Sequence, residues 1–295
     1  MSVLYNDSTV HGQVRTQQGF EVYVLNNDRV QIAVVPELGA RILSLRNLQT
    51  GREWLWHPKK ELTLFRNRQG DDFSKSPLAG IDECLPTIAP CRWQARDLPD
   101  HGEAWNTSWS VNASAWENRI LHTSTQLKLS RFLFERAIEL RGNEVRLNYQ
   151  LNNQSDAEQS YLWAFHPLLR LRLGDRLVLP PATRALLNGE TWISDLYNAP
   201  THGVCAKLFA APVADGFAAV ENQIDPNRLE FHWDPSENNT LGLWFSNGGW
   251  HGHHHFAIEP TNGEPDSLEA AAAKNRCGIL PGFGSAKWQI ALKVL

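Results

Sequence analysis

Apolar and polar residues alternate along much of this chain, which is the pattern of strands that bury one face. The clearest case is VRLNYQL at 145–151, where Val, Leu, Tyr and Leu alternate with Arg, Asn and Gln. The dipeptide Gly142-Asn143 separates this segment from the preceding FLFERAIEL, as the turn of a hairpin would. A polar QSD at 154–156 ends it, and SYLWAFHPLLRLRL begins the next predicted strand. The pattern predicts an antiparallel meander and not a βαβ alternation.

Further strands are predicted near both ends of the chain. VQIAVVP at 30–36 and RILSLRNL at 41–48 flank a turn in which Gly39 can supply an unusual backbone dihedral. The last segment, AKWQIALKVL at 286–295, alternates again and is expected to close the chain as a strand.

Helix is predicted at one place, and one long segment is expected to form loops. The helix is DSLEAAAAKNRCG at 266–278, with Asp266 or Ser267 as its N-cap and Gly278 as its stop. Residues 57–118 are rich in Pro, Gly and Trp and have weak periodicity. Long irregular segments of this kind are usually functional loops.

The length and composition indicate one large folded β domain that covers residues 1–295. The chain has 295 residues, of which 42% are hydrophobic and 20% charged, and it shows no internal repeat and no clean linker. A net charge of −4 without any basic run argues against nucleic acid or an anionic membrane as a partner.

The start of the chain and its cysteines predict a cytoplasmic protein. Residues 1–10 lack the charged-then-apolar order of a secretory signal, and no apolar stretch is long enough to cross a bilayer. The cysteines form neither a disulfide framework nor a paired zinc motif, and we expect reduced thiols at Cys84, Cys91, Cys205 and Cys277.

The most conspicuous candidate for chemistry is the histidine-rich segment WHGHHHFAIEP at 250–260. If it is a strand, His253, His255 and Glu259 share one face, and the apolar Phe256 and Ile258 share the other. The spacing is compatible with a metal site of two histidines and one carboxylate, and it resembles the first metal motif of cupins. The chain has no later histidine to complete a cupin site. A proton-transfer site and solvated histidines at a strand start are the alternatives.

Two other segments combine histidines with aromatic or acidic residues. His166 lies in the apolar segment YLWAFHPLLRL, where it could be a hydrogen-bonded core histidine or a functional one at the irregularity caused by Pro167. The loop LPDHGEAW places His101 between Asp100 and an acidic Glu, with Trp105 close by. Carboxylates beside an aromatic plane suit sugars, although the loop could equally be a surface turn anchored by its tryptophan.

Six segments, taken in order, are similar to those of one known family. They are GARILSLRNLQTGREWLW, GIDECLPTIAPCRW, LPDHGEAW, FHPLLRL, AIEPTNGEPDSL and LPGFGSAKWQIALKV, which together span about Ile32 to Val294. Their order and spacing resemble the galactose mutarotase-like, or aldose 1-epimerase, superfamily. The resemblance implies an all-β fold, a large antiparallel β-supersandwich with little helix and a sugar-binding cleft on one concave sheet. It also implies a small-molecule sugar as the ligand, with no metal and no organic cofactor.

The resemblance further implies which residues act on the sugar. Glu259 would be the base that takes the proton of the anomeric hydroxyl, and His166, as imidazolium, the acid that protonates the ring oxygen. We expect a raised pKa for Glu259 in a partly dry cleft and a pKa near neutral for His166. The predicted substrate-binding residues are His101, Asp82, Glu83, Trp105, His255 and Arg66.

One departure from the family bears on the substrate. Members that act on hexose 6-phosphates often have Arg-Gly-Gly-Ile-Pro where residues 79–83 of this chain read AGIDE. A phosphate dianion favours arginine and not two acids, although Arg66, Arg68 or Arg92 could compensate from neighbouring loops. The leading hypothesis is therefore an isomerase that interconverts the anomers of a free sugar. The alternatives are a non-catalytic carbohydrate-binding or sensing protein, a hexose-6-phosphate 1-epimerase and a metal-dependent sugar isomerase.

Overall fold

The structure of the chain is a computed structural model that describes residues 9–58, 62–187 and 203–295. Strands dominate the described residues, and their three α-helices are short. The helices are α1 (Ala113–Glu117), α2 (Pro181–Ala185) and α3 (Leu268–Ala273). The strands are β1 (His11–Gln17), β2 (Phe20–Asn26), β3 (Val30–Val35), β4 (Arg41–Asn47), β5 (Ile81–Cys84), β6 (Cys91–Trp93), β7 (Arg96–Leu98), β8 (Ser110–Val111), β9 (Leu121–Leu127), β10 (Phe132–Arg141), β11 (Glu144–Asn153), β12 (Gln159–Tyr161), β13 (Ala164–Pro167), β14 (Asp175–Val178), β15 (Val204–Ala210), β16 (Phe217–Asn222), β17 (Arg228–Trp233), β18 (Thr240–Asn247), β19 (His254–Thr261), β20 (Gly278–Leu280) and β21 (Ser285–Val294).

Two large antiparallel sheets form the body of the described structure. The nine-stranded sheet has the order β1-β2-β3-β4-β5-β13-β19-β18-β15, and the eight-stranded sheet has the order β14-β16-β17-β21-β11-β10-β9-β8. Apolar side chains from the facing sides of both sheets make one core, in which Phe165 of β13 lies against Phe231 of β17. This is the sandwich that alternating strands predict, because each sheet buries one face against the other.

The predicted hairpin and the predicted N-terminal strands are confirmed. Arg141 pairs with Glu144, which leaves Gly142 and Asn143 as the two-residue turn, and Gly142 has a φ of 57°. The turn between β3 and β4 places Gly39 at a φ of 73°, where an added Cβ would lie 2.1 Å from the Trp105 carbonyl oxygen. Only glycine fits this position, because the backbone of the 104–106 turn passes directly over it.

The predicted helix at 266–278 is real but shorter. Ser267 is its N-cap and accepts a hydrogen bond from the Ala270 amide. The helix ends at Ala273, well before Gly278, because Asn275 takes the left-handed conformation with a φ of 55°. The amides of residues 275 and 276 then bond back to the carbonyls of residues 272 and 271, which is the Schellman arrangement of a helix end.

The segment expected to form one strand from Ser160 onward forms two strands, β12 and β13. Between them, the amides of residues 162 and 163 bond to groups outside the strand ladders. The Leu162 amide bonds to the Pro86 carbonyl, and the Trp163 amide bonds to the Asn262 side chain. β12 therefore pairs with β20 in a small separate ribbon, while β13 joins the nine-stranded sheet. The break places His166 on the large sheet, next to the histidine-rich strand.

The four cysteines are free thiols, as expected. Across the part of the chain that the structure describes, every helix is too short or too polar to cross a membrane.

Candidate functional site

A cavity of about 310 Å³ lies on the nine-stranded sheet, on the face that points away from the shared core. Four neighbouring strands, β13, β19, β18 and β15, supply its floor, and loops supply its walls. Its described lining residues are Asp72, Phe73, Ser74, Ile88, Ala89, Pro90, Asp100, His101, His166, Leu168, Lys207, Trp244, Trp250, His251, His255, Glu259 and Asp266.

Strand periodicity explains why His166 and Glu259 meet on this floor. Ala164 of β13 pairs with Thr261 of β19. Because the strands are antiparallel, His166, two residues after Ala164, lies on the same face as Glu259, two residues before Thr261. The preceding residues, Phe165 and Ile258, point the other way, into the core. The distance from His166 Nε2 to Glu259 Oε1 is 3.9 Å, so the two predicted catalytic residues lie side by side.

The carboxylate of Glu259 is fully buried and asymmetrically bonded. Its Oε2 contacts the ammonium of Lys207, whereas its Oε1 has no hydrogen-bond partner among the described residues. Burial raises the pKa of Glu259, and the nearby Lys207 only partly offsets this effect. A buried, unpaired carboxylate oxygen beside a cavity is a strong acceptor for a ligand hydroxyl.

The electrostatics of His166 differ from the sequence-based expectation. The side chain is 8% exposed, and its Nδ1 finds no partner in the described part of the chain. Burial, followed by the charges of His101 and Lys207, lowers the pKa of His166 well below its ordinary value. The expectation of a pKa near neutral is wrong, because the sequence does not reveal how completely the imidazole is desolvated.

Lys207 is a charged residue beside Glu259 that the sequence analysis did not identify. It lies on β15, and its Nζ contacts Glu259 Oε2 and lies 3.5 Å from Asp266 Oδ1. Attraction to these two carboxylates raises the pKa of Lys207, although burial alone would lower it. The sequence does carry one signal for it, because Lys207 is the single charged residue in the otherwise apolar strand VCAKLFA.

Aromatic rings and histidines form the walls around this centre. His101 stacks on Phe73 with ring centroids 3.7 Å apart, and its Nδ1 lies 2.9 Å from Asp100 Oδ1. The His101 ring also packs edge-on against His166, at 5.0 Å between centroids. The backbone of His101 is left-handed, with a φ of 58°.

His255 closes the floor at the other end of the cavity. It accepts a hydrogen bond of 3.0 Å from Trp244 Nε1 to its Nε2, and its ring lies against Trp56. Burial, with added repulsion from His253 and His254, lowers the pKa of His255 to about 3. His255 is therefore a neutral side chain at ordinary pH, which positions Trp244 and lines the site.

The other predicted substrate-binding residues, Asp82, Glu83, Trp105 and Arg66, are not among the described residues that line the cavity. Asp82 is buried with its carboxylate 2.8 Å from Arg41, and burial raises its pKa to about 6. Glu83 points into the core, Trp105 packs under Phe73, and the exposed Arg66 pairs with Glu37 beside a separate cavity of about 120 Å³. The two acids already have protein counterions, which the sequence does not show.

One set of described side chains could hold a metal ion, and it differs from the histidine-rich set considered above. Ligand atoms of Cys84, His101 and His166 all lie within 4.8 Å of one another. These ligand types suit zinc. Burial raises the pKa of the Cys84 thiol well above its ordinary value, which disfavours the thiolate that binds metal.

No known family model and no curated protein matches this chain by sequence. Solved structures do match its fold. A Klebsiella pneumoniae protein provisionally named as an aldose 1-epimerase is 19% identical, with a TM-score of 0.73, over 95% of this chain and 81% of that one. A galactose mutarotase-like protein of Clostridium acetobutylicum is 15% identical, with a TM-score of 0.73, over 98% and 99% of the two chains. A galactose mutarotase related enzyme of Lactobacillus acidophilus is 14% identical, with a TM-score of 0.66, over 93% and 97%. These similarities confirm the predicted fold.

Proposed function

Starting from the galactose mutarotase-like fold of this chain, we propose that the protein interconverts the α and β anomers of an aldose. Glu259 and His166 exchange protons with the sugar while its ring opens and recloses. The observation that carries this proposal is the pairing of an unbonded Glu259 Oε1 with His166 Nε2, 3.9 Å apart on the floor of the cavity.

The shape and lining of the cavity support a small sugar as the substrate. Its volume of about 310 Å³ is at the lower end of the range for small-molecule sites, which is roughly 300–1,000 Å³. Trp250 offers an apolar ring face for sugar C–H groups, and Asp100 and Asp266 offer acceptors for hydroxyls. The Klebsiella and Lactobacillus neighbours are themselves named for this reaction or for related enzymes.

The reaction needs one proton to move from the anomeric hydroxyl to the ring oxygen. Glu259 accepts the hydroxyl proton as the C1–O5 bond breaks, and His166 donates a proton to the departing ring oxygen. Rotation about the C1–C2 bond of the open aldehyde and the reverse proton transfers then give the other anomer. The reactive form of the pair carries one proton, on His166 before the ring opens and on Glu259 afterwards, so the pKa values belong to the pair and not to either residue alone. Because burial lowers the pKa of His166, imidazolium is the minor form of the free protein at neutral pH.

The experiment is polarimetry of freshly dissolved single anomers across a panel of aldoses. We expect the wild-type protein to accelerate mutarotation of at least one sugar. The catalysed rate of His166→Ala should be about 100-fold or more below that of the wild type. A sugar that binds in calorimetry while its mutarotation stays at the buffer rate would instead favour a non-catalytic carbohydrate-binding protein.

A further inference from the structure

Lys207 is the lysine of the described cavity lining, and the proposed proton transfers leave it without a role. It lies on the edge strand β15, across β18 from the strand that carries Glu259. Its side chain is 17% exposed, and its Nζ contacts Glu259 Oε2 and lies 3.5 Å from Asp266 Oδ1. The ammonium group is therefore held between two carboxylates from different segments of the chain.

The strand between them leaves room for this contact. Gly242 of β18 pairs with Glu259 on one side and with Phe209 on the other. A Cβ at residue 242 would lie 3.3 Å from Glu259 Oε2 and 3.4 Å from the Phe209 ring. An added Cβ would crowd Oε2, the oxygen that Lys207 contacts, so glycine at position 242 leaves this oxygen free for the lysine from the next strand.

The contact is one-sided, and this asymmetry matters for chemistry. Lysine is a compact point charge that holds a single oxygen, whereas arginine commonly binds both oxygens of a carboxylate. Oε2 is thus occupied and Oε1 stays unpaired, facing His166. The carboxylate is also fully buried, so a nearby cation is needed to keep it ionised.

We propose that Lys207 is a positioning residue: it holds Oε2 of Glu259 and keeps that carboxylate ionised, so that Oε1 is presented to the anomeric hydroxyl beside His166. This inference rests on the proposed function and adds a residue to it. The titratable groups that face Glu259 from other segments of the described chain are His166, Lys207, Asp266, His101 and Cys84.

The direction of the effect on pH dependence follows from charge. The positive charge of Lys207 lowers the pKa of Glu259 and also that of His166. Removing the charge raises both, so the acidic and the alkaline limb of the pH profile of kcat/KM both move to higher pH. A change that only loosened the fold would lower the rate at all pH values without moving either limb.

The experiment compares Lys207→Met with Lys207→Arg and with Lys287→Met, which removes an exposed lysine of the eight-stranded sheet. We expect Lys207→Met to move the acidic limb upward by about one pH unit or more, which is a loss of about tenfold on that limb. Lys207→Arg should keep both limbs near their wild-type positions, and Lys287→Met should match the wild type. Unmoved limbs in Lys207→Met would overturn the proposal.

A second readout separates this inference from the proposed function. The Glu259 carboxyl can be titrated by ¹³C NMR in protein labelled at glutamate, with Glu259→Gln giving the assignment. Lys207→Met should raise the pKa of this carboxyl whether or not the protein turns over any sugar. An unchanged titration would refute the role of Lys207, whereas absent mutarotation in the wild type would refute only the proposed function.

Discussion

Replacing Glu83 by Gln tests whether this residue binds substrate or stabilises the fold. The sequence places it among the sugar-binding candidates, but its carboxylate is buried in the core between the sheets. It accepts hydrogen bonds of 2.8 Å from Arg136 Nη1, 2.8 Å from Tyr149 Oη and 2.9 Å from Trp163 Nε1. The structure therefore predicts a loss of stability and not a loss of sugar binding.

The magnitude follows from the charge that the substitution leaves behind. Glutamine can still accept hydrogen bonds, but it removes the negative charge beside Arg136, whose side chain is completely buried. An uncompensated buried charge costs about 3–5 kcal/mol. This is a large part of the roughly 5–15 kcal/mol by which a typical domain is stable.

The assay is urea unfolding, combined with mutarotation measured under conditions where the variant is still folded. We expect Glu83→Gln to lose about 3–5 kcal/mol of unfolding free energy and to keep a kcat/KM close to that of the wild type. Glu139→Gln, which breaks a solvent-accessible pair with Arg141, is the matched control and should cost less than about 1 kcal/mol. A Glu83→Gln protein of normal stability with weakened sugar binding would refute the reasoning.

Two further predictions concern protonation and substrate charge. The pKa of His255 is lowered to about 3 in the folded protein, so the folded state binds fewer protons than the unfolded state, and stability falls as pH drops from about 6.5 toward 3. His255→Gln should flatten this fall by up to about 1.4 kcal/mol per pH unit, and an identical slope in urea titrations of both proteins would contradict the assignment. The described lining has four carboxylates and one lysine that is already paired with two of them. We therefore expect kcat/KM for glucose 6-phosphate to be about tenfold or more below that for glucose, with a gap that narrows in high salt; an equal or higher value for the phosphate would be evidence against an uncharged substrate.

The strands were predictable because their signals are local. The alternation at 145–151, the Gly142-Asn143 turn and the position of Gly39 each depend on a few neighbouring residues. The end of α3 was not predictable in the same way. Both asparagine and glycine can adopt the left-handed conformation that ends a helix. The sequence alone therefore does not say whether α3 ends at Asn275 or at Gly278.

The candidate site was predictable only in part, because its geometry depends on strand order. Periodicity places Glu259 and His255 on one face, and family resemblance selects His166, but only the pairing of β13 with β19 brings Glu259 and His166 together. The same limitation hid Lys207, whose contact with Glu259 crosses an intervening strand. Register between strands that are far apart in sequence is set by the whole sheet and not by either segment.

The protein counterions of the acidic candidates were also hidden. Asp82 and Glu83 are neighbours in sequence, yet they point to opposite faces of β5 and pair with Arg41 and Arg136 respectively. These arginines lie more than 40 residues away along the chain, on other strands. Neither composition nor periodicity shows which buried acid already has a partner.

The most direct test of the central claim is anomeric exchange measured by NMR at equilibrium, with wild-type protein, Glu259→Gln and Glu264→Gln. Glu264 lies in the loop after β19 and pairs with Arg276 outside the described cavity lining, so its substitution controls for charge removal nearby. The account predicts exchange above the buffer rate for the wild type and Glu264→Gln, and a loss of about 100-fold or more for Glu259→Gln. Unchanged exchange in a folded Glu259→Gln protein would contradict it.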